Sequence, residues 1–168
     1  MISKCAFFLF AMYFVLCATM TSAEMPAPSG PVVLSISGQI GVTNVNATAQ
    51  FDVDMLEAFP QHETRTETPW HEGESAFSGP LLATLMDAVK GEGDVMQFKA
   101  LNDYVSTIPV EEIHKYPLIL ATRVNGARIT VRNKGPLIVI YPFSDMPELY
   151  NEMTFSRSAW QVVSIEIK

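Results

Sequence analysis

Residues 117–142 read PLILATRVNGARITVRNKGPLIVIYP, and this stretch decides the fold class. Leu118 to Val124 is an apolar run bounded by Pro117, which predicts a strand. Asn125-Gly126 follows it. That dipeptide is the strongest short hairpin signal in the chain, because both positions tolerate the positive φ that a type I′ turn needs. Ala127 to Arg132 returns as the partner strand. Asn133-Lys134-Gly135 turns the chain again, and Leu137 to Tyr141 is a further apolar strand that Pro142 ends.

Working outward from this region gives a β-rich α+β domain with short helices packed on strands. On the C-terminal side, residues 146–155 read as a loop or a short helix. Trp160 to Ile167 reads as a last strand, with Trp160, Val162 and Ser164 on one face and Val163, Ile165 and Ile167 on the other. On the N-terminal side, Pro109 opens a short helix through Lys115. Val95 to Leu101 and Tyr104 to Ile108 are predicted strands with a kink at Asn102-Asp103. Ser78-Gly79-Pro80 is expected to open a helix with Pro80 at its first position, its apolar face formed by Leu81, Leu82, Leu85, Met86 and Val89. Val32 to Ser37 and Ala49 to Val53 are predicted strands. Asp54 is the expected N-cap of a short helix to Phe59, with Glu57 in the capping-box position. Gln61 to Ser75 (QHETRTETPWHEGES) is polar, lacks apolar periodicity and is expected to be a long loop. The chain carries no internal repeat.

The chain has 168 residues with 11 Lys+Arg against 18 Asp+Glu, a net charge of −7. That balance argues against a nucleic-acid partner, which calls for a basic patch. Residues 1–23 read as a secretory signal peptide: Lys4, then a short apolar run from Cys5 to Met20, then small residues at Thr21-Ser22-Ala23. Cleavage before Glu24 leaves a chain of charge −8. Residues 24–31 (EMPAPSGP) are expected to be a flexible leader, and residues 32–168 a single domain. Cys5 and Cys17, the only cysteines, fall in the leader. The exported chain would therefore hold no disulfide and no thiolate, and after cleavage no segment is expected to insert in a membrane. The expected location is the periplasm.

Motif by motif, common chemistries drop out. The sequence has no phosphate-binding loop, and Gly91-Glu92-Gly93 reads as a helix stop. It has no nucleophile elbow. His62-Glu63 lacks the second histidine of a zinc-protease helix, since residue 66 is Thr. His62 and His71 remain as isolated polar-loop histidines.

Eight local features, in order, carry a resemblance. They are Thr66-Glu67-Thr68-Pro69-Trp70; Phe77-Ser78-Gly79 with Leu82; Asn102-Asp103-Tyr104; Ile108-Pro109; Leu120-Ala121; Asn125-Gly126; Gly135-Pro136 with Tyr141-Pro142; and Trp160-Gln161-Val162. From Val32 to Ile167 the chain resembles the molybdopterin-binding domain of the sulfite oxidase family, and within it a short, exported, single-domain branch. The resemblance implies an α+β fold with a mainly antiparallel or mixed sheet and a pterin pocket lined by loops. In the family's enzymes a cysteine thiolate from the segment matching Thr64 to Thr68 holds molybdenum, and here that segment has no cysteine. The basic residue expected soon after Gly135-Pro136 is replaced by Leu137, Ile138 and Val139, and Ala159 stands where a lysine precedes the final Trp.

These departures fall on metal and anion handling. They turn the expectation from an enzyme to a pterin-binding protein with no molybdenum. The function implied is a non-catalytic periplasmic ligand sensor acting on a membrane-bound signalling protein of the cyclic di-GMP type. A molybdopterin-dependent oxidoreductase and a ligand-free scaffold are the alternatives. Pterin or molybdopterin is the possible cofactor, and the acidic charge favours a small, unphosphorylated pterin.

A pterin site needs an aromatic or apolar wall, an acceptor for ring N–H groups and donors for the oxo group. The candidates are Arg65, Thr66, Thr68, Trp70, Asn102, Asp103, Tyr104 and Tyr141. Trp70 is a pocket wall or a lid over the core. Asp103 reads the amino edge of the ring or accepts backbone N–H groups in a turn, and Asn102 shares that choice. Tyr104 lines the site or packs in a strand. Arg65 donates to the ligand or pairs with Glu63 or Glu67. Thr66 and Thr68 donate through hydroxyls or cap a turn. Tyr141 lines the pocket or belongs to the core. Trp160 is expected in the core and Lys134 in solvent.

Overall fold

The structure is a computed structural model that describes residues 25–168. The signal-peptide reading of residues 1–23 lies outside the described residues. Eleven strands and four short α-helices follow one another as β1 (Leu34–Gly38), β2 (Ala49–Phe51), α1 (Val53–Ala58), β3 (Gln61–Glu67), β4 (Glu74–Pro80), α2 (Leu82–Ala88), β5 (Val95–Ala100), β6 (Val105–Pro109), α3 (Val110–Lys115), β7 (Ile119–Ala121), β8 (Arg123–Val124), β9 (Ala127–Arg128), β10 (Ile138–Ile140), α4 (Glu152–Arg157) and β11 (Val162–Ile167). They form a five-stranded sheet in the order β2-β1-β11-β5-β6, a four-stranded sheet β3-β4-β8-β9, and the pair β10-β7. Among the described residues only β1 and β11 run parallel; every other strand pairing is antiparallel.

The larger core lies on one face of the five-stranded sheet. Leu34, Ile36, Met96, Phe98, Ile108, Ile165 and Ile167 project there at two-residue spacing and meet Leu82, Leu85 and Met86 of α2, Leu56 of α1 and Ile113 of α3. Each such side chain, fully buried, contributes about 1.5–3 kcal/mol. A second cluster of Phe77, Ile119, Ala121, Ile129, Ile138 and Ile140 joins β4, β7 and β10. Gly79 permits that junction: a Cβ there would lie 2.1 Å from the carbonyl oxygen of Leu120.

The hairpin expected at Asn125-Gly126 forms, with φ of 48° and 79°, pairing Arg123 with Arg128 and Val124 with Ala127. The long strands expected on either side are shorter. Thr122 separates β7 from β8, and the return strand stops at Arg128, before a 3-10 turn at Val131–Asn133.

Four further expectations need correction. The Gln61–Ser75 loop is instead most of a hairpin, β3 paired with β4 from Gln61↔Pro80 to Glu67↔Glu74. Its inward positions are Thr64 and Thr66, so the two-residue alternation is real but carried by a polar, β-branched residue. Ser78-Gly79-Pro80 ends β4 and does not open a helix. The cap of α1 is Asp52, whose carboxylate accepts from Met55 N at 2.8 Å and also from Gly30 N at 2.8 Å. Those backbone N–H groups hold its pKa below the usual carboxylate value. Glu57 is no capping-box partner; it receives both Arg123 and Arg128, which lower its pKa. In β11 the register shifts between Val162 and Ser164, so Val162, Ile165 and Ile167 share the core face where strict alternation had divided them.

Candidate functional site

Two segments supply the candidate residues, and they behave differently. In the first, β3 ends at Glu67 and the chain turns through Thr68 to His71. Arg65 points outward and pairs with Glu63 at 2.8 Å, both side chains more than half exposed. Thr66 is fully buried. Its hydroxyl accepts from Ser144 N at 3.0 Å and also bonds Ser144 Oγ at 3.2 Å, tying β3 to the segment after β10. Thr68 Oγ1 accepts from His71 N at 3.1 Å and bonds His71 Nδ1 at 3.0 Å, which closes the turn. Burial, and secondarily the charge of Lys134, hold the His71 pKa below its ordinary value.

That turn delivers Trp70 to an aromatic cluster. Its ring lies 6.4 Å from Phe143, 6.4 Å from Phe155 and 5.8 Å from Trp160, centroid to centroid. Phe143 in turn stacks on Tyr141 at 5.8 Å and meets Tyr150 and Phe155 edge-on. The Trp70 indole N–H is buried without a hydrogen-bond partner. Tyr141 is fully buried, with an equally unpartnered hydroxyl. Burial pushes its pKa well above the usual phenol range, and the nearby Glu112 carboxylate adds to the shift.

The second segment is the turn between β5 and β6. Asn102 Oδ1 accepts from Tyr104 N at 3.2 Å, and Asp103 takes the left-handed conformation at φ 63°. Asp103 points to solvent and pairs with Lys99 at 2.8 Å, which lowers its pKa. The Tyr104 hydroxyl donates to the carbonyl of Ser156 at 2.6 Å, fastening the turn to the end of α4. Asn151 caps α4 by accepting from Met153 N and Thr154 N.

Between this turn and α4 lies a pocket of about 230 Å³, lined by Asn102, Tyr104, Phe155, Ser156, Ser158, Ala159 and Trp160. Its surface is mainly apolar. Trp160 is 39% exposed and forms a wall; it is not the core residue expected. Trp70 stands against Phe155 and Trp160 and so backs the pocket.

Of the sequence candidates, the structure brings Asn102, Tyr104 and, from behind, Trp70 to one place. It does not bring Arg65, Thr66, Thr68, Asp103 or Tyr141 to the lining. Arg65 and Asp103 sit in surface pairs, Thr66 and Thr68 hold the backbone, and Tyr141 is in the core. Phe155, Ser156, Ser158 and Trp160 were missed as a wall. The available signal was two serines flanking Arg157, followed two residues later by Trp160, at the entry to the last strand.

The architecture is α+β, with mixed and antiparallel sheets and few short helices. No family model and no curated protein matches the chain. Among solved structures it is similar to the sulfane dehydrogenase SoxCD from Paracoccus pantotrophus, with a TM-score of 0.58 and 16% sequence identity. The match covers 80% of this chain and 37% of that one, so the chain spans well under half the length of its structural neighbour. At that identity the likeness is one of fold.

The cofactor that the sequence resemblance implies is held through a cysteine thiolate. Residues 25–168 contain no cysteine, and Thr64, Thr66 and Thr68 are buried hydroxyls. Among the described residues no group of three or more His, Cys, Asp or Glu is placed to hold a metal ion. The residues present do not fit a thiolate-held molybdenum. Among the described residues no helix is long and apolar enough to cross a membrane.

Proposed function

We propose that this chain is an exported pterin-binding protein, a ligand sensor without catalytic metal that reports to a membrane-bound signalling protein of the cyclic di-GMP type. The observation that carries the reading is the pocket between the β5–β6 turn and α4. It offers Trp160, Tyr104 and Phe155 as aromatic surface and Asn102 with two serines as polar edge, the composition of a site for a planar heterocycle. At about 230 Å³ it is smaller than the ~300–1,000 Å³ usual for drug-sized ligands. That size suits one bicyclic ring. The export and partner parts of the proposal rest on the leader-like residues 1–23, on the sequence resemblance and on the acidic charge.

The test is to purify the exported protein and measure released pterin by fluorescence and metals by elemental analysis. Pterin without metal, or tight binding of added pterin, supports the sensor. Stoichiometric molybdenum overturns it in favour of an oxidoreductase. No pterin and no binding of added pterin leaves a scaffold.

A further inference from the structure

The hydrogen-bond inventory of the pocket defines its ligand more narrowly. Every hydroxyl proton on its wall is already committed to a backbone carbonyl. Tyr104 donates to Ser156 O at 2.6 Å, Ser156 Oγ to Met153 O at 2.7 Å, and Ser158 Oγ to Thr154 O at 2.8 Å. Asn102 Oδ1 accepts from Tyr104 N, which uses one of its two lone pairs. That partner is a donor, so it fixes which end of the amide is oxygen.

What remains for a ligand is asymmetric. Among the described residues the Asn102 Nδ2 amide and the Trp160 indole N–H have no acceptor and are free to donate. The side-chain acceptors left over are lone pairs on the uncharged oxygens of Asn102, Tyr104, Ser156 and Ser158. No lining residue carries a charge. The neighbouring charges are already paired: Lys99 with Asp103, and Arg157, which lies between the two serines in sequence, with Glu112.

Resting on the pterin-binding reading, we infer that the pocket selects an uncharged, unphosphorylated pterin, and that Asn102, not Asp103, is the specificity residue, donating from Nδ2 to the ring's oxo edge. A formal charge on the part of the ligand inside the pocket would lose water there and find no counter-charge, which is costly in a site of this polarity. An oxo or ring-nitrogen acceptor would meet Nδ2, and ring N–H groups would meet neutral hydroxyl oxygens. A ligand lacking the acceptor leaves the Nδ2 donor unpaired, the kind of loss from which hydrogen-bonding sites derive discrimination.

The experiment is titration of the purified exported protein with four probes at pH 7. They are a pterin with a neutral polyhydroxyl side chain, its phosphate ester, unsubstituted pterin, and a 2-aminopteridine lacking the oxo group. The first and third are expected to bind, with affinities nearly independent of salt. The phosphate ester and the oxo-less ring are each expected to bind at least about tenfold more weakly. Asn102→Asp keeps an oxygen to accept from Tyr104 N, so the turn is retained, but removes the donor. It is expected to weaken unsubstituted pterin by about tenfold or more while changing the oxo-less ring much less. Asn102→Ala, checked for folding by circular dichroism, is expected to remove the same discrimination without adding charge. If pterin binds but the phosphate ester binds as tightly, or both Asn102 variants keep full discrimination between the oxo and oxo-less rings, this inference falls while the pterin-binding reading stands. If the wild-type chain binds none of the four, both fall together.

Discussion

The turn after β3 and the turn after β5 carry the same kinds of residue, an aromatic beside small polar side chains, and they do opposite things with them. After β3, the hydroxyls of Thr66 and Thr68 are directed inward to Ser144 and His71. Trp70 packs inward among the rings of Phe143, Phe155 and Trp160. After β5, Asn102 uses one end of its amide to shape the turn and leaves the other end free, while Tyr104 is 44% exposed beside Trp160. The difference teaches that polar composition does not mark a site. A residue marks a site when it keeps an unfilled donor or an open aromatic face after the backbone's needs have been met.

Substitutions can break this contrast. The largest effect on stability is expected from Trp70→Ala, which removes the hub that touches Phe143, Phe155 and Trp160. Truncation of such an aromatic costs about 3–5 kcal/mol, measured by chemical denaturation, and the pocket wall should loosen with it. Thr66→Val comes next. It keeps the shape but strands the Ser144 N–H, at a cost of about 1–3 kcal/mol, with pterin binding retained if the β3 segment is purely structural.

A pH effect follows from His71. Its folded pKa lies below the ordinary 6.5, so the unfolded chain binds more protons in the interval between the two values. Stability is therefore complete above pH 6.5 and declines as pH falls from there through the folded pKa. His71→Gln should flatten that interval in a pH series of thermal melts. It should leave the further loss at lower pH, where Glu57 and then Asp52 give up contributions that are present only above their ordinary values of 4.5 and 3.8.

The smallest effect is expected from Arg65→Ala. This exposed pair with Glu63 should change stability by no more than about 0.5 kcal/mol and leave pterin affinity unaltered. A large loss of affinity would restore the β3 segment to the site.

How much of this was legible in the sequence depends on what carried each signal. The Asn125-Gly126 hairpin and the buried strands β1, β5, β10 and β11 were readable, because apolar side chains and turn residues report local geometry directly. The β3–β4 hairpin was hidden because threonine filled its inward positions, and a polar residue in a β-branched shape looks like loop on a hydropathy reading. The bulge in β11 was hidden because one inserted residue shifts the face of everything before it. The fold type came through ordered short motifs, each weak by itself. The site was half legible. Asn102, Tyr104 and Trp70 stood out as polar-segment or turn residues, but the opposite wall, Phe155 to Trp160, comes from far along the chain. Tertiary bonds from Tyr104 to Ser156 O, from Ser106 to Arg157 O and from Leu101 N to Gln161 O bring the two together. Arg65 and Asp103 were chosen for their charge, and the structure shows that charge satisfied by Glu63 and Lys99.

The most direct test of the central claim uses the chain's two tryptophans. Pterin is titrated into the wild-type protein and into Trp160→Phe and Trp160→Ala while tryptophan emission is recorded. If Trp160 is the wall on which the ring lies, pterin quenches wild-type emission. Trp160→Phe retains binding with most of the quenching gone, and Trp160→Ala weakens affinity by about 1–3 kcal/mol, the usual worth of one stacked ring. Pterin binding of undiminished affinity in Trp160→Ala would contradict the account and place the ligand elsewhere on the fold.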